Sequence, residues 1–407
     1  MNNTYRTEVL IAGGGIVGSL MAIALAENGF EVVLVDPSFE TSSQTNRICR
    51  SYAISRTSKI LLKNLGVWGN LDEKFEPITK IVLSEANKEA MDVTKLAEFD
   101  LQDESKEPTS YMVEDLEIRT ALNLKLQASK NVEILTNCKV LSEEVAKGGS
   151  IISLDNDKRI YASLFVICDG PKSSIAKTIN KKFIFKDYNQ VAIVANVNHK
   201  NRHKGEAHQI FFTGGPIASL PLKGNRSAIV WSEEKKKGFH VSQSKKENFL
   251  EELKAKLSNV LVDISLDSEK YVFPLSLSIL RDFVDERRVF IGDSAHTIHP
   301  LAGQGLNLGL RDIASLTEIL VNGKKIGEDI GSIGLLKRYE QWRSFDRFLL
   351  SSYTDGINAL FSNDNKILRA LRRLGLKAID SSTNLKTAFM NEAAGEYGHL
   401  PILLKEM

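Results

Sequence analysis

Residues 8–18 read EVLIAGGGIVG, and an uncharged run, SLMAIALA, follows over residues 19–26. The apolar, β-prone residues 8–12 predict a strand, and residues 19–28 predict a helix closed by Gly29. Between them lies a G-x-G-x-x-G turn in the context its mechanics require, strand before and helix after. Gly13 permits the sharp turn, Gly15 lets a pyrophosphate approach the backbone with no Cβ in the way, and Gly18 lets the helix pack closely on the strand. The phosphates are expected on the helix N-terminus, where unpaired N–H groups and the helix dipole favour anions. A second strand, residues 31–35, ends at Asp36, whose carboxylate is placed to accept hydrogen bonds from a ribose diol. The uncharged residues 9–26 approach the length of a membrane span, but the run of glycines and the flanking Glu8 and Glu27 make a poor membrane helix. The opening MNNTYRTE balances one cation against one anion, unlike a secretory signal, so a cytoplasmic chain is expected.

Far downstream, residues 288–312 read RVFIGDSAHTIHPLAGQGLNLGLRD. Val289, Phe290 and Ile291 predict a buried strand, Gly292 turns, and Asp293 is presented at the strand's C-terminal end, where ligands bind in such sheets. Its carboxylate suits a ribityl hydroxyl. Pro300 fixes the backbone ahead of Gly303, Gln304 and Gly305, which can offer backbone N–H groups to a flat heterocycle just before a helix begins near Leu306. Each stretch alone says little; together they describe the two ends of one flavin adenine dinucleotide.

The 407 residues, 43% hydrophobic and 26% charged, fit a folded enzyme-sized chain rather than a disordered one. A net charge of +2 argues against nucleic-acid binding as the main activity, since that needs a large basic excess. Cys49, Cys138 and Cys168 are odd in number, scattered and free of C-x-x-C spacing, which predicts reduced thiols rather than disulfides or zinc. His296 and His299 invite a metal reading, but only Asp293 accompanies them and structural sites need four ligands, so no metal is expected. Helices are expected at residues 55–65, 114–128 and 244–257, short strands over 132–168, 185–231 and 271–280, and solvated lysine-rich turns or faces at 233–237 and 245–246. The last ninety residues read as helical, with a basic amphipathic stretch at 365–379.

With these residues in view, the chain resembles the FAD-dependent aromatic-ring hydroxylases, in particular the branch that works in ubiquinone biosynthesis. The resemblance covers almost the whole length. It rests on Gly13, Gly15 and Gly18, on Asp169-Gly170 with Ser173, on Gly292-Asp293 with HTIHPLAGQGLNLGLRD, on RSYAIS at residues 50–55, and on GPIASLPL and IVW at 215–222 and 229–231. It implies an α/β fold in which a discontinuous Rossmann-like FAD-binding domain (1–75, 111–184 and 281–345) carries a β-sheet-rich substrate domain (76–110 and 185–280) and a helical C-terminal region (346–407).

The resemblance further implies FAD as cofactor, NAD(P)H as reductant, and dioxygen with a polyprenylated phenol as substrates. One oxygen atom would be delivered from a flavin C4a-hydroperoxide, in a site kept dry because the solvated peroxide decays. No second G-x-G-x-x-G is present, which implies that nicotinamide visits transiently. Arg50 and Arg119, at matched positions, are expected at the FAD pyrophosphate or ring edge. Asp169 is read either as a cofactor contact or as a structural turn residue. No acid or base is assigned; Pro300, Gly303, Gln304 and Gly305 are expected beside the reacting edge. Two departures stand out: Ala176 where the family usually has arginine, which leaves reductant docking open, and Ile48 where it usually has an acid. An isoprenoid or quinone reductase and a non-catalytic FAD-bound scaffold subunit of a biosynthetic complex are the competing functions. Delivery of a polyprenylated substrate from a bilayer suggests peripheral contact with the inner face of the membrane. The stretch 365–379, with Ile367, Leu368, Leu371, Leu374 and Ile379 beside Lys366, Arg369, Arg372, Arg373 and Lys377, suits an interfacial helix. A helix docked on its own flavin domain accounts for that composition equally well.

Overall fold

The computed structural model describes residues 5–39, 50–71, 73–86, 93–100, 107–299, 303–344, 346–347 and 382–406. The first strand, Tyr5–Ala12, is the centre of an eight-stranded sheet. It pairs in parallel with Val32–Asp36 on one side and Arg159–Ile167 on the other, and Val132–Thr136 and Arg288–Phe290 extend the parallel set. Val9, Leu10 and Ile11 are fully buried, as a parallel sheet covered on both faces requires. The helix Ile16–Glu27 is buried nearly all round, between the sheet and the helix Gln304–Lys325. That burial explains the membrane-like composition of residues 9–26: a helix apolar on every side can be a core helix. No helix among the described residues is long and apolar enough to cross a membrane.

A nine-stranded sheet stands against this unit, built on Phe183–Asn198 with Tyr271–Leu280 and Arg226–Glu234 as its antiparallel neighbours. Period-two alternation gives it two apolar faces. On one, Ile193, Val197, Ile210, Ile217, Ile229 and Trp231 pack against the helices Lys235–Gln243 and Lys246–Leu257 through Val241, Phe249, Leu253 and Leu257. On the other, Ala207, Leu222 and Ala228, with Leu83 and Leu220, pack with Ala53 and Met112 of a three-stranded sheet and with Met390. The nine-stranded sheet is thereby joined to the strand Ser51–Ser55.

Residues 234–237 are the solvated face expected of a lysine-rich run, but Glu233 departs from it. Glu233 is buried, its Oε2 pairs with Lys237 Nζ at 2.9 Å, and a helix begins at Lys235. Gly214 makes the room: a Cβ there would lie 1.8 Å from Glu233 Oε1. The strand that ends at Glu234 and the helix that starts at Lys235 bring positions 233 and 237 together, so the charge run includes an internal pair. Trp231 is 1% exposed, with the Phe249 ring 6.0 Å away and Lys256 Nζ 5.0 Å from its own ring centroid. Trp231→Ala is expected to destabilise the protein by about 3–5 kcal/mol. A lowered urea midpoint at unchanged slope checks this.

Candidate functional site

Of the three fingerprint glycines, Gly13, Gly15 and Gly18, one is open and two are closed. Gly13 has φ +102°, and a Cβ on it would lie 2.4 Å from the Cys168 carbonyl oxygen. A Cβ on Gly18 would lie 1.8 Å from the Gly13 carbonyl oxygen. At Gly15 a Cβ would meet nothing within 4 Å. Gly15 is also the residue before the helix Ile16–Glu27, which has no side-chain cap, so its first N–H groups face that open space. Asp36, at the end of the second strand, accepts the Gly14 N–H at 2.6 Å and the Ser38 N–H at 2.7 Å. It thus pins the turn and stands beside it.

Two cations gather around Asp115, which the sequence reading did not single out. Its Oδ1 accepts from Tyr52 Oη at 2.9 Å, its Oδ2 accepts from Arg119 Nε at 2.6 Å, and its own N–H donates to the Arg50 carbonyl at 2.8 Å. The Arg50 guanidinium lies 5.1 Å from the Tyr52 ring centroid. The charge of Asp36 acts on Arg119, and that of Arg50 acts on Asp293. Asp36, Arg50, Asp115, Arg119 and Asp293, drawn from four separate stretches of sequence, therefore form one electrostatic neighbourhood.

The second loop leaves the sheet at Phe290. Ser294 Oγ lies 2.7 Å from the Ile167 carbonyl and 2.8 Å from that of Ile291, tying the loop to the neighbouring strand end. Burial pushes the Asp293 carboxyl above its usual value, while Arg50 and His296 oppose the shift. The helix Gln304–Lys325 starts at Gln304, two residues before the position expected from sequence, because Gly303 takes a left-handed conformation (φ 61°) as its N-cap. Gly305 faces open space, and a Cβ on Gly303 would touch Ala53 at 3.4 Å. Asn307, unassigned in the sequence reading, fixes this helix end: its Oδ1 accepts the Ser55 N–H at 3.0 Å and its Nδ2 donates to the Ala53 carbonyl at 2.8 Å. Its signal was its place one turn into the helix. Pro300, expected beside the reacting edge, lies outside the described residues.

Asp169 and Ser173 cap the short helix Ser174–Thr178: Asp169 Oδ2 accepts the Ile175 N–H at 3.3 Å, and Ser173 Oγ accepts the Ala176 N–H at 3.0 Å. Asp169 Oδ1 is buried with no partner among the described residues, which leaves an acceptor available to a ligand. Ala176 is fully buried in that helix, so this chain has filled the usual arginine position with core, and the neighbouring Lys177 is exposed. The two histidines diverge. His296 Nε2 lies 2.6 Å from Asp312 Oδ2, whereas the His299 ring packs edge-on against Tyr188 at 5.0 Å. Among the described residues no group of three or more His, Cys, Asp or Glu side chains is placed to hold a metal ion.

An open glycine, uncapped helix N–H groups, an acid at the end of the second strand, two cations and a second acid-bearing loop fit a dinucleotide with a charged middle and hydroxylated arms. Such a set defines a flavin-dinucleotide-binding protein. A family model described as FAD binding domain matches residues 6–344, and the chain belongs to that family, as a member of its aromatic-ring hydroxylase group. It is 33% identical to ubiquinone hydroxylase UbiL of Rhodospirillum rubrum over 95% of this chain and 89% of the relative. It is 30% identical to 3-demethoxyubiquinol 3-hydroxylase of Escherichia coli over 96% and 98%. Among solved structures, p-nitrophenol 4-monooxygenase PnpA of Pseudomonas putida superposes with a TM-score of 0.80 over 97% of this chain and 100% of that one. At 17% identity this likeness shows the fold.

Proposed function

We propose that this chain is an FAD-dependent monooxygenase that hydroxylates the aromatic ring of a polyprenylated phenol in ubiquinone biosynthesis, with dioxygen as oxygen source and NAD(P)H as reductant. The observation that carries the substrate class is the sheet face packed with Ala53. From Leu83, Leu220 and Ala228 it continues in register through Ala218, Val230 and Val194, with Gln209 as a neutral polar group. Arg226, a cation on that face, already has both sides engaged, by Glu114 at 3.0 Å and Asp267 at 2.7 Å. A substrate anchored by its own carboxylate or phosphate finds no free cation in that set, whereas an apolar tail and a phenol find matching surface.

Bound FAD supplies the redox and oxygen-transfer chemistry. The chain's part is to hold and orient. Gly13, Gly15, Gly18 and Asp36 suit the adenosine diphosphate half, Arg50 and Arg119 offset phosphate charge, and Asp293 suits a ribityl hydroxyl. Gly303, Gln304 and Gly305, with Pro300 before them, set an uncapped helix end toward the flavin ring, where its N–H groups favour electron-rich atoms. Asp169, through its free oxygen, is assigned to the same cofactor half as the glycine turn. Oxygen uptake matched mole for mole by hydroxylated product tests the reading. Reductant consumed with a quinone and no oxygen uptake would make the chain a reductase, and retained FAD without turnover would make it a scaffold.

Membrane contact rests on residues 365–379, outside the described residues, where five cations accompany an apolar set. Flotation with anionic vesicles is expected for the wild-type protein, sensitive to salt, and lost when Arg369, Arg372 and Arg373 are all changed to Glu. No flotation of the wild type would end that proposal.

A further inference from the structure

Asp312 is fully buried on the helix Gln304–Lys325, at the end of the stretch that begins with Arg288. Its Oδ2 accepts the Gly292 N–H at 3.0 Å and the His296 Nε2–H at 2.6 Å. Gly292 precedes Asp293 and His296 follows the short turn Gly292–Ser294, so one carboxylate oxygen grips both ends of the loop that carries Asp293. Asp312 Oδ1 accepts from Arg343 Nε at 2.8 Å, and the buried Arg343 also pairs with Asp346 and reaches the Leu308 carbonyl at 3.4 Å. Next to it, Arg347 Nη2 donates to the Ala295 carbonyl at 2.9 Å, inside the same loop. Charges from a helical segment outside the glycine fingerprints thus converge on the Asp293 loop.

Burying an aspartate, a histidine and an arginine together is an expensive way to hold a helix in place. Well-packed apolar side chains of similar volume often do as well or better for stability alone. What the polar set adds is direction: the bonds to the Gly292 N–H, the His296 ring and the Ala295 carbonyl each fix one point of the loop. We infer that Asp312 is a positioning residue for the flavin: braced by Arg343, it sets the Gly292–His296 loop so that Asp293 meets FAD in one geometry.

The inference rests on the assignment of Asp293 to FAD, and a double-mutant cycle separates the two. FAD affinity is measured by quenching of flavin fluorescence on apoprotein of wild type, Asp312→Asn, Asp293→Ala and the double variant. Near-UV circular dichroism confirms that each apoprotein is folded. Asp312→Asn is expected to weaken FAD about tenfold in the wild-type background and less than twofold when Asp293 is already Ala. Equal losses in both backgrounds, or no loss in the single variant, would overturn the positioning role. An Asp293→Ala protein with wild-type affinity would overturn the Asp293 assignment, and the inference with it. Should Asp312→Asn fail to fold, His296→Phe removes one of the two loop grips while leaving the Asp312–Arg343 pair, and the same dependence on Asp293 is expected.

Discussion

Gly15→Val is expected to give a folded protein that purifies without yellow colour, while Gly18→Val is expected to give no folded protein at all. Two glycines three residues apart in one fingerprint thereby fail in opposite ways. At Gly15 the added side chain enters empty space, since a Cβ meets nothing within 4 Å, and the apoprotein has no reason to unfold. That space is where we place the FAD pyrophosphate, so the cost falls on binding. A loss of at least two decades in FAD affinity is expected, about 2.7 kcal/mol or more. At Gly18 a Cβ would stand 1.8 Å from the Gly13 carbonyl oxygen, a backbone atom of the turn itself, and no rotamer relieves the overlap. Circular dichroism and thermal melting of both apoproteins, with fluorescence titration of FAD into the Gly15 variant, check the pair of outcomes. Wild-type FAD affinity in Gly15→Val would remove the pyrophosphate from this turn.

Asp293 is expected to show the opposing demands of binding and stability. Asp293→Ala should weaken FAD by about one to two decades, since a charge-assisted hydrogen bond contributes about 1.5–3 kcal/mol. In the apoprotein the carboxyl is a burden. Burial raises its pKa above the ordinary 3.8, so the folded state holds a proton more tightly than the unfolded state. The apoprotein should therefore gain stability as pH falls through the folded pKa toward the unfolded value, and carry the cost of a buried charge at neutral pH. Asp293→Asn removes that charge at similar shape and should melt higher than wild type at pH near 7 while binding FAD less tightly. Melting curves of the two apoproteins decide it; an Asn variant less stable than wild type would show that Arg50 and His296 more than offset the burial.

The fold was legible where local patterns and the final architecture agree. The strand, glycine turn and helix of residues 5–27 are recognisable because each glycine has a distinct mechanical reason to be there, and the strand Tyr271–Leu280 falls on the residues expected. The pairing of the two distant fingerprints also placed them in one domain interrupted by a sheet-rich insert, and their strands do return to one sheet. Two kinds of feature escaped. Glu233 looked solvated because a charge run carries no record of Gly214, whose missing side chain makes room for the buried carboxylate. Asp115, Asn307 and the pair Asp312–Arg343 escaped because their work is to hold other residues, and hydrogen bonds spanning 31 or 252 positions leave no local periodicity. The residues proposed to face the cofactor carry local motifs, whereas those that aim them appear only in three dimensions.

The most direct test of the account is the fate of oxygen. FAD-loaded protein is supplied with NAD(P)H, a polyprenylated phenol and isotopically heavy dioxygen, and the product is weighed by mass spectrometry. The account predicts a ring-hydroxylated product carrying one heavy oxygen atom. Reductant consumed while the phenol stays unlabelled, or a hydroxylated product whose new oxygen is not heavy, would contradict it.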